Sequence, residues 1–321
     1  MALTPTVSPA SVAVDPVVTD RADTHLQLFS TEAYNRRNLD AAQDYVAIDH
    51  HDGGRLVGTF AGVVEDDLFS SGFSAPFGGP DLVRSRETPG NVQALVDRTL
   101  AVLAARGLRR IRVKARPQSY SANETYVLHA LLHRGLTVVG SELSYGIDVS
   151  GHRSPEEYRA SLKSPARRAL KHADAEPYDY AETETAAEFA AAYEIIRANR
   201  RAKGNPLRLS LEYLLRLQAD LGDRIRFFVL THAGTPVAAA LLYRLRPDIE
   251  LVEYWGDHHS LDRSPMNRLA AEVCGRAITE GVRLVDLGIS SVHGEPNEGL
   301  IQFKQSIGAT AELRLDLEGT L

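Results

Sequence analysis

Three carboxylates, an ammonium and an aromatic ring crowd into one stretch, Val282 to Gly308 (VRLVDLGISSVHGEPNEGLIQFKQSIG). Asp286 follows Leu284 and Val285 in an apolar run that reads as a buried strand, with Leu287 and Gly288 after it. A carboxylate at the C-terminal end of a strand in an α/β sheet lies beside the ligand crevice. There it can orient a bound group or take its proton. Glu295 and Glu298 stand in the next loop with His293, each a candidate base or an anchor for a cation. Phe303 and Lys304 follow on a short helix, and Ser306-Ile307-Gly308 leads into a last strand.

Other chemistries are disfavoured by spacing. Ser290 and Ser291 have His293 close in sequence, but neighbours on one loop do not make a catalytic triad. No P-loop or nucleophile elbow occurs, and Gly78-Gly79 lacks the strand-loop-helix frame of a dinucleotide site, so it reads as a tight turn. His258 and His259, with Asp257 and Asp262, invite a metal reading. Adjacent histidines on a strand end point to opposite sides, and no third histidine or cysteine stands at ligand spacing, so no metal is expected. His50-His51-Asp52 reads as part of a hairpin turn. The single cysteine, Cys274, excludes an internal disulfide and lies in an apolar helical pattern (Leu269, Val273, Ala277), so it reads as core.

These residues need elements to position them. At 321 residues the chain is long enough for two domains, and 44% hydrophobic with 24% charged residues indicates a soluble globular protein. No apolar run of ~18 residues predicts a membrane span. The first residues lack the basic start and unbroken apolar core of a signal peptide, and their Pro, Ser, Thr and Val content predicts a loose tail over 1–24. A cytoplasmic protein is expected. The net charge of −6 argues against nonspecific nucleic-acid binding. Two basic runs stand against that balance: Arg106, Arg109, Arg110, Arg112, Lys114 and Arg116, then Lys163, Arg167, Arg168 and Lys171. Each is either a phosphate contact or a solvated face.

The two halves repeat one order of elements. DYVAIDHHDGGRLVGTFAGVV and RIRFFVLTHAGTPVAAALLYRL both read as strand, glycine turn and strand. A helix ending in glycine follows each, then a strand, a loop reaching Asn-Glu, and a final helix, glycine and strand. Gly107 and Gly281 are 174 apart (281 − 107), as are Asn123 and Asn297 (297 − 123). Two copies of one α/β module follow, over 25–150 and 176–321, with a helical connector over 151–175. In the connector, Ser154-Pro155 and Ser164-Pro165 read as capped helix starts. The second copy adds two helices before its hairpin, AAEFAAAYEIIRANRRAKG and SLEYLLRLQADLG, and a third strand, IELVEYWGD, after it.

Strand, polar loop and charged helix over Val282–Gly308 resemble the end of the GNAT acyltransferase fold. Phe303-Lys304 before Ser306-Ile307-Gly308 resembles its Fem-like branch. Asn199-Arg200, Lys203-Gly204, Tyr254-Trp255-Gly256-Asp257, Pro265-Met266-Asn267, Asp286-Leu287-Gly288 and Gly299-Leu300 extend the likeness in the second half, and Ser74 to Pro80 in the first. From about residue 25 the chain thus resembles the Fem-like tandem GNAT proteins. The resemblance implies an α/β (α+β) fold of two tandem GNAT-like modules, each a mixed sheet flanked by helices.

The resemblance also implies a function. The chain would transfer an aminoacyl group from aminoacyl-tRNA to an amine of a small metabolite or peptide. N-acetylation from acetyl-CoA is the alternative, and a non-catalytic binding module of this fold is the third reading. By the resemblance, the strand near Ile249–Trp255 holds the donor, with Tyr254 and Trp255 alternating toward cleft and core and Glu253 reaching the amine through water. The helix starting near Ser264-Pro265 meets the carrier's phosphates. Many acetyl-CoA users have glycines at this point, whereas this chain has Arg263-Ser264-Pro265-Met266-Asn267, and proline removes a donor. That departure shifts weight to charged tRNA, with Arg263 and Ser264 left to meet a phosphate. Lys304 would hold a terminal phosphate or stabilise the oxyanion. Phe303 either stacks on a terminal adenine or packs in the core, and Asn297 belongs to the donor site. Lys304, Asp286, Glu298 and Glu253 are the candidate catalytic residues, and Arg167, Arg168 and Lys171 the candidate tRNA contacts. No permanently bound cofactor, no membrane partner and a monomer are expected.

Overall fold

The computed structural model describes residues 26–258 and 263–321. The tail over 1–24, and His259 and Asp262 of the metal motif weighed above, lie outside the described residues.

The first half opens with α1 (Glu32–Arg36), the hairpin β1 (Asp44–Asp52) and β2 (Arg55–Glu65), β3 (Leu68–Ser71) and β4 (Gly79–Leu82). It continues with α2 (Pro89–Ala105), β5 (Arg110–Lys114), α3 (Glu124–His133) and β6 (Thr137–Asp148). Two connecting helices follow, α4 (Pro155–Ser161) and α5 (Ser164–Ala173). The second half has β7 (Tyr178–Glu182), α6 (Ala186–Ala202), α7 (Leu211–Leu221), β8 (Ile225–His232), β9 (Thr235–Arg246) and β10 (Ile249–Asp257). It ends with α8 (Pro265–Thr279), β11 (Leu284–Ile289), the short β12 (Ser291–Val292) and β13 (Glu295–Pro296), α9 (Glu298–Ser306) and β14 (Thr310–Thr320).

Local chemistry sets the helix starts. Thr185 and Glu188 form a reciprocal capping box on α6, and the Ser210 hydroxyl accepts from the Tyr213 N–H on α7. Ser154 caps α4 as its sequence predicts, with Pro155 in the first turn. Ser164 does not cap α5: the helix begins one residue earlier than expected, so Lys163 takes the cap position and makes no side-chain capping bond. Cys274 is buried on α8 in the main core, where burial pushes its thiol up to about 12.

The two halves share one sheet. Its order is β1-β2-β3-β5-β14-β6-β11-β10-β9-β8-β7, with β4 paired to β2. The last strand of each half has crossed into the other: β14 lies between β5 and β6, and β6 lies between β14 and β11. Ser141 pairs with Leu315. These residues are 174 apart (315 − 141), the offset of the sequence repeat, as a pseudo-twofold axis through this strand pair requires. The exchange ties the halves together through backbone hydrogen bonds, beside side-chain contacts such as Tyr120 with Asp286 and Asp81 with Arg246.

Candidate active site

The site starts where two parallel strands part. β10 pairs with β11 only from Ile249 to Leu251, opposite Leu284 to Asp286. Beyond that point β10 keeps only β9, with a bulge between Val252 and Tyr254 that contains Glu253. β11 keeps β6, and its register breaks between Asp286 and Ile289, where Gly288 takes φ +70. That left-handed backbone favours glycine. Both strands therefore bulge at the mouth of the gap they form, and each bulge re-aims a side chain.

Asp286 is 2% exposed at the root of this gap. It accepts from the Tyr120 hydroxyl at 2.6 Å and from the Gly288 N–H at 2.7 Å. Lys304, on α9, is 1% exposed, and its ammonium donates to the carbonyls of Gly288 at 2.9 Å and Ile289 at 3.0 Å. Burial pushes that ammonium down to about 7, while Asp286 pulls it back up. Asp286 and Lys304 thus hold Gly288 from two sides, one at its N–H and the other at its carbonyl.

Glu253 has a different environment. Its carboxyl makes no hydrogen bond or ion pair with any described residue. Burial pushes it up to about 7, with Arg314 and Arg200 pulling down and Asp286 pushing further up. Glu250 stands three residues back on the same strand and is held by Arg226, Arg244 and Arg276. Five tyrosines (Tyr34, Tyr120, Tyr213, Tyr243 and Tyr254) neighbour Glu253 or Asp286. Burial raises each phenol, and the Glu253 or Asp286 charge raises it further, so all stay neutral donors.

The remaining expected residues are placed as follows. Tyr254 lies under the Arg200 guanidinium at 4.9 Å, and Trp255 meets Phe303 edge-on at 5.8 Å, so Phe303 packs against the core. Arg263 is ion-paired to Glu176, and Ser264 has φ +53 with no capping bond from its hydroxyl. Asn297 caps α9 by accepting from the Leu300 N–H at 3.0 Å. Glu298 is exposed in the first turn of α9 and makes no bond to Asp286, Lys304 or Glu253. Arg167, Arg168 and Lys171 line an open cavity of about 480 Å³ on α5, with Arg159, Ser164 and Asp174. These three cations have no carboxylate partner among the described residues, and α5 packs against α8 and α9.

Four residues of the first basic run have carboxylate partners. Arg109 and Arg110 pair with Asp67, Arg112 with Glu318, and Arg116 with Glu124 and Asp81. It presents no free phosphate face at those positions. Tyr120, Arg200 and Arg314 were outside the sequence-derived site. Tyr120 reaches Asp286 across 166 residues of chain, a distance no local pattern bridges.

A gap between two parallel strands, a helix starting above it and a following strand-helix unit make a recognisable arrangement. Residues 157–304 match the acetyltransferase (GNAT) domain family model. The chain superposes on the crystal structure of FemX with TM-score 0.71 at 11% identity, covering 93% of this chain and 94% of that one. The chain has the tandem GNAT fold. The C-terminal domain (DUF2156) of a proposed lysylphosphatidylglycerol synthetase from Agrobacterium fabrum is also similar, with TM-score 0.56, 12% identity and coverage of 86% and 84%. L-PGS from Bacillus licheniformis matches with TM-score 0.51, 10% identity and coverage of 85% and 80%. No curated protein matches the chain in sequence. β10 and β11 are the pair of parallel strands that part, and α8 follows β10 in the chain. Among the described residues no group of His, Cys, Asp and Glu could hold a metal, and no helix is long and apolar enough to cross a membrane.

Proposed function

We propose that this tandem GNAT protein forms amide bonds by moving an aminoacyl group from aminoacyl-tRNA to an amine. The observation that carries the reading is the Glu253 carboxyl, left without a bond at the bulge where β10 leaves β11. An amine attacking an ester must lose a proton, and a base poised near 7 takes it efficiently. The amine nitrogen bonds to the ester carbonyl carbon and Glu253 takes the proton. The tetrahedral oxyanion then collapses, the ester C–O bond breaks, and the proton returns to the departing ribose hydroxyl. Lys304 has three N–H donors and uses two on carbonyls. The third serves the oxyanion.

The donor assignment rests on the two ends of α8 and α5. The α8 start has no glycine, its proline lacks an N–H, and Arg263 is engaged with Glu176. This is a poor cradle for a pyrophosphate. The unpaired cations of the α5 cavity stand ready for the phosphates of an acceptor arm. A cytoplasmic monomer fits such a donor. Acetyl-CoA is the second reading, favoured by the match to an acetyltransferase family model. Binding of purified protein to bulk aminoacyl-tRNA and to acetyl-CoA separates the two. Tight tRNA binding that weakens steeply with salt, and none to CoA, is expected. CoA binding without tRNA binding overturns the donor assignment.

A further inference from the structure

Two arginines face the cleft without a partner. Arg200, on α6, lies 4.9 Å over the Tyr254 ring, one residue from Glu253. Its Nε is buried and makes no hydrogen bond. Arg314, on β14, comes from the exchanged strand at the join between the halves. Its guanidinium stands 5.8 Å from the Phe77 ring, and Phe77 meets Tyr120, the partner of Asp286, edge-on at 4.9 Å. Among the described residues neither guanidinium forms an ion pair or a hydrogen bond beyond these ring contacts. Of the carboxylates near Arg314 in the sheet, Glu312 accepts from Ser119, and Glu142, opposite Arg314 on β6, accepts from the Ser291 hydroxyl. Both arginines are near enough to Glu253 to draw its carboxyl down against burial.

An unpaired, partly desolvated guanidinium is costly unless an anion meets it, and its planar fork suits carboxylate or phosphate. Glu253 does not fill that role. We propose that the acceptor is an amine that also carries an anionic group, carboxylate or phosphate. Its anion is held by Arg200 and Arg314 and its nitrogen is delivered to Glu253. This rests on the reading of Glu253 as the base for an amine acceptor. The partly exposed Tyr254 ring beside Glu253 suits the carbon chain between the two charges.

The test uses matched amines with and without the anion: lysine against cadaverine, 4-aminobutyrate against butylamine, and O-phosphoethanolamine against ethanolamine. Each is titrated into the full protein calorimetrically, without donor, and then offered as acceptor with charged tRNA and with acetyl-CoA. The anionic member of at least one pair should bind about ten-fold tighter or more, and the winning pair tells carboxylate from phosphate. Arg200→Gln and Arg314→Gln should bring that ratio toward one and raise KM for the anionic member. Arg200→Lys and Arg314→Lys, which keep the charge and guard against a folding artefact, should restore part of it. Equal binding within every pair, or a preference that survives both glutamine variants, overturns the inference. A preference in binding with no acyl transfer from either donor upholds the anion site and refutes the proposed reaction instead.

Discussion

The two halves share one fold and treat their buried charges in opposite ways. In the first half Arg116 and Glu124 are both buried, and Arg116 Nε donates to Glu124 at 2.9 Å. Asp81, fully buried, accepts from the Gln27 N–H at 2.7 Å and pairs with Arg246. Burial pushes the Glu124 carboxyl up even so, with Arg116 pulling against it. By the 174-residue offset, Glu124 is the counterpart of Glu298, which is exposed, and Ala130 is the counterpart of Lys304. In the first half β3 pairs with β5 up to Ser71, β4 goes on along β2 in the same direction, and the Gly78 N–H donates to the Lys114 carbonyl across the gap at 2.8 Å. In the second half β10 keeps only β9 past its bulge, Glu253 keeps no partner among the described residues, and Lys304 is buried against carbonyls. The lesson is one of compensation. A charge that is buried and paired holds the fold, and a charge that is buried and unpaired has a pKa free to serve chemistry.

The largest effect that could break this contrast is at Glu253. Glu253→Gln should cut turnover by about 10²–10⁴-fold, the range for a general base. The wild-type rate should climb as pH rises through about 7, the value to which burial pushes this carboxyl, and the variant should lose that limb. The same change should stabilise the protein. The folded carboxyl holds its proton up to about 7 and the unfolded one only to about 4.5. The burial cost therefore grows as pH rises from 4.5 to 7 and is full above 7. The variant's thermal midpoint should exceed wild type at pH 8, with the gap closing toward pH 5. A variant that loses stability at pH 8 would show that Glu253 is a structural carboxylate like Glu124.

Arg116→Met sharpens the other side. It strands Glu124 and weakens the Asp81 pair, so it should cost about 3–5 kcal/mol in denaturant unfolding. Turnover per folded molecule should change little, because Arg116 does not touch the cleft residues. Lys304→Met should lower turnover about ten-fold or more, roughly 1.4 kcal/mol per decade. Unchanged turnover in a folded Lys304→Met would remove it from the reaction. The smallest effect is at the α5 cavity. Arg167→Gln, Arg168→Gln and Lys171→Gln should each weaken tRNA binding modestly and lower its salt slope by about one. Acetyl-CoA binding, if any, should not respond to these changes.

Much of the fold was legible in the chain because its causes are local. The two hairpins, the capped start at Ser154 and the glycine-terminated helices each depend on residues a few positions apart, and the repeat offset on the same order of elements in both halves. The strands β3, β4 and β7 were not foreseen; they are short, and tertiary pairing rather than pattern makes them strands. Among the site residues, Asp286 lies near enough to both Lys304 and Glu253 to act on their charges. Arg263, Asn297 and Glu298 stayed apart from that cluster, because cap and ion-pair partners nearby claim the first two and solvent surrounds the third.

The sequence by itself determined the repeated α/β module, the periodicity of its elements and the residue types at the end of β11. Those follow from side-chain spacing along a helix or strand. Only the tertiary structure decided that β6 and β14 trade places, that Tyr120 reaches Asp286, and that Arg314 from the exchanged strand faces Glu253. It also decided that Glu250 is encircled by arginines while Glu253, three residues on, is left alone. The physical reason is that desolvation and charge compensation depend on what arrives from distant chain: Glu250 meets three arginines, while burial raises the Glu253 carboxyl.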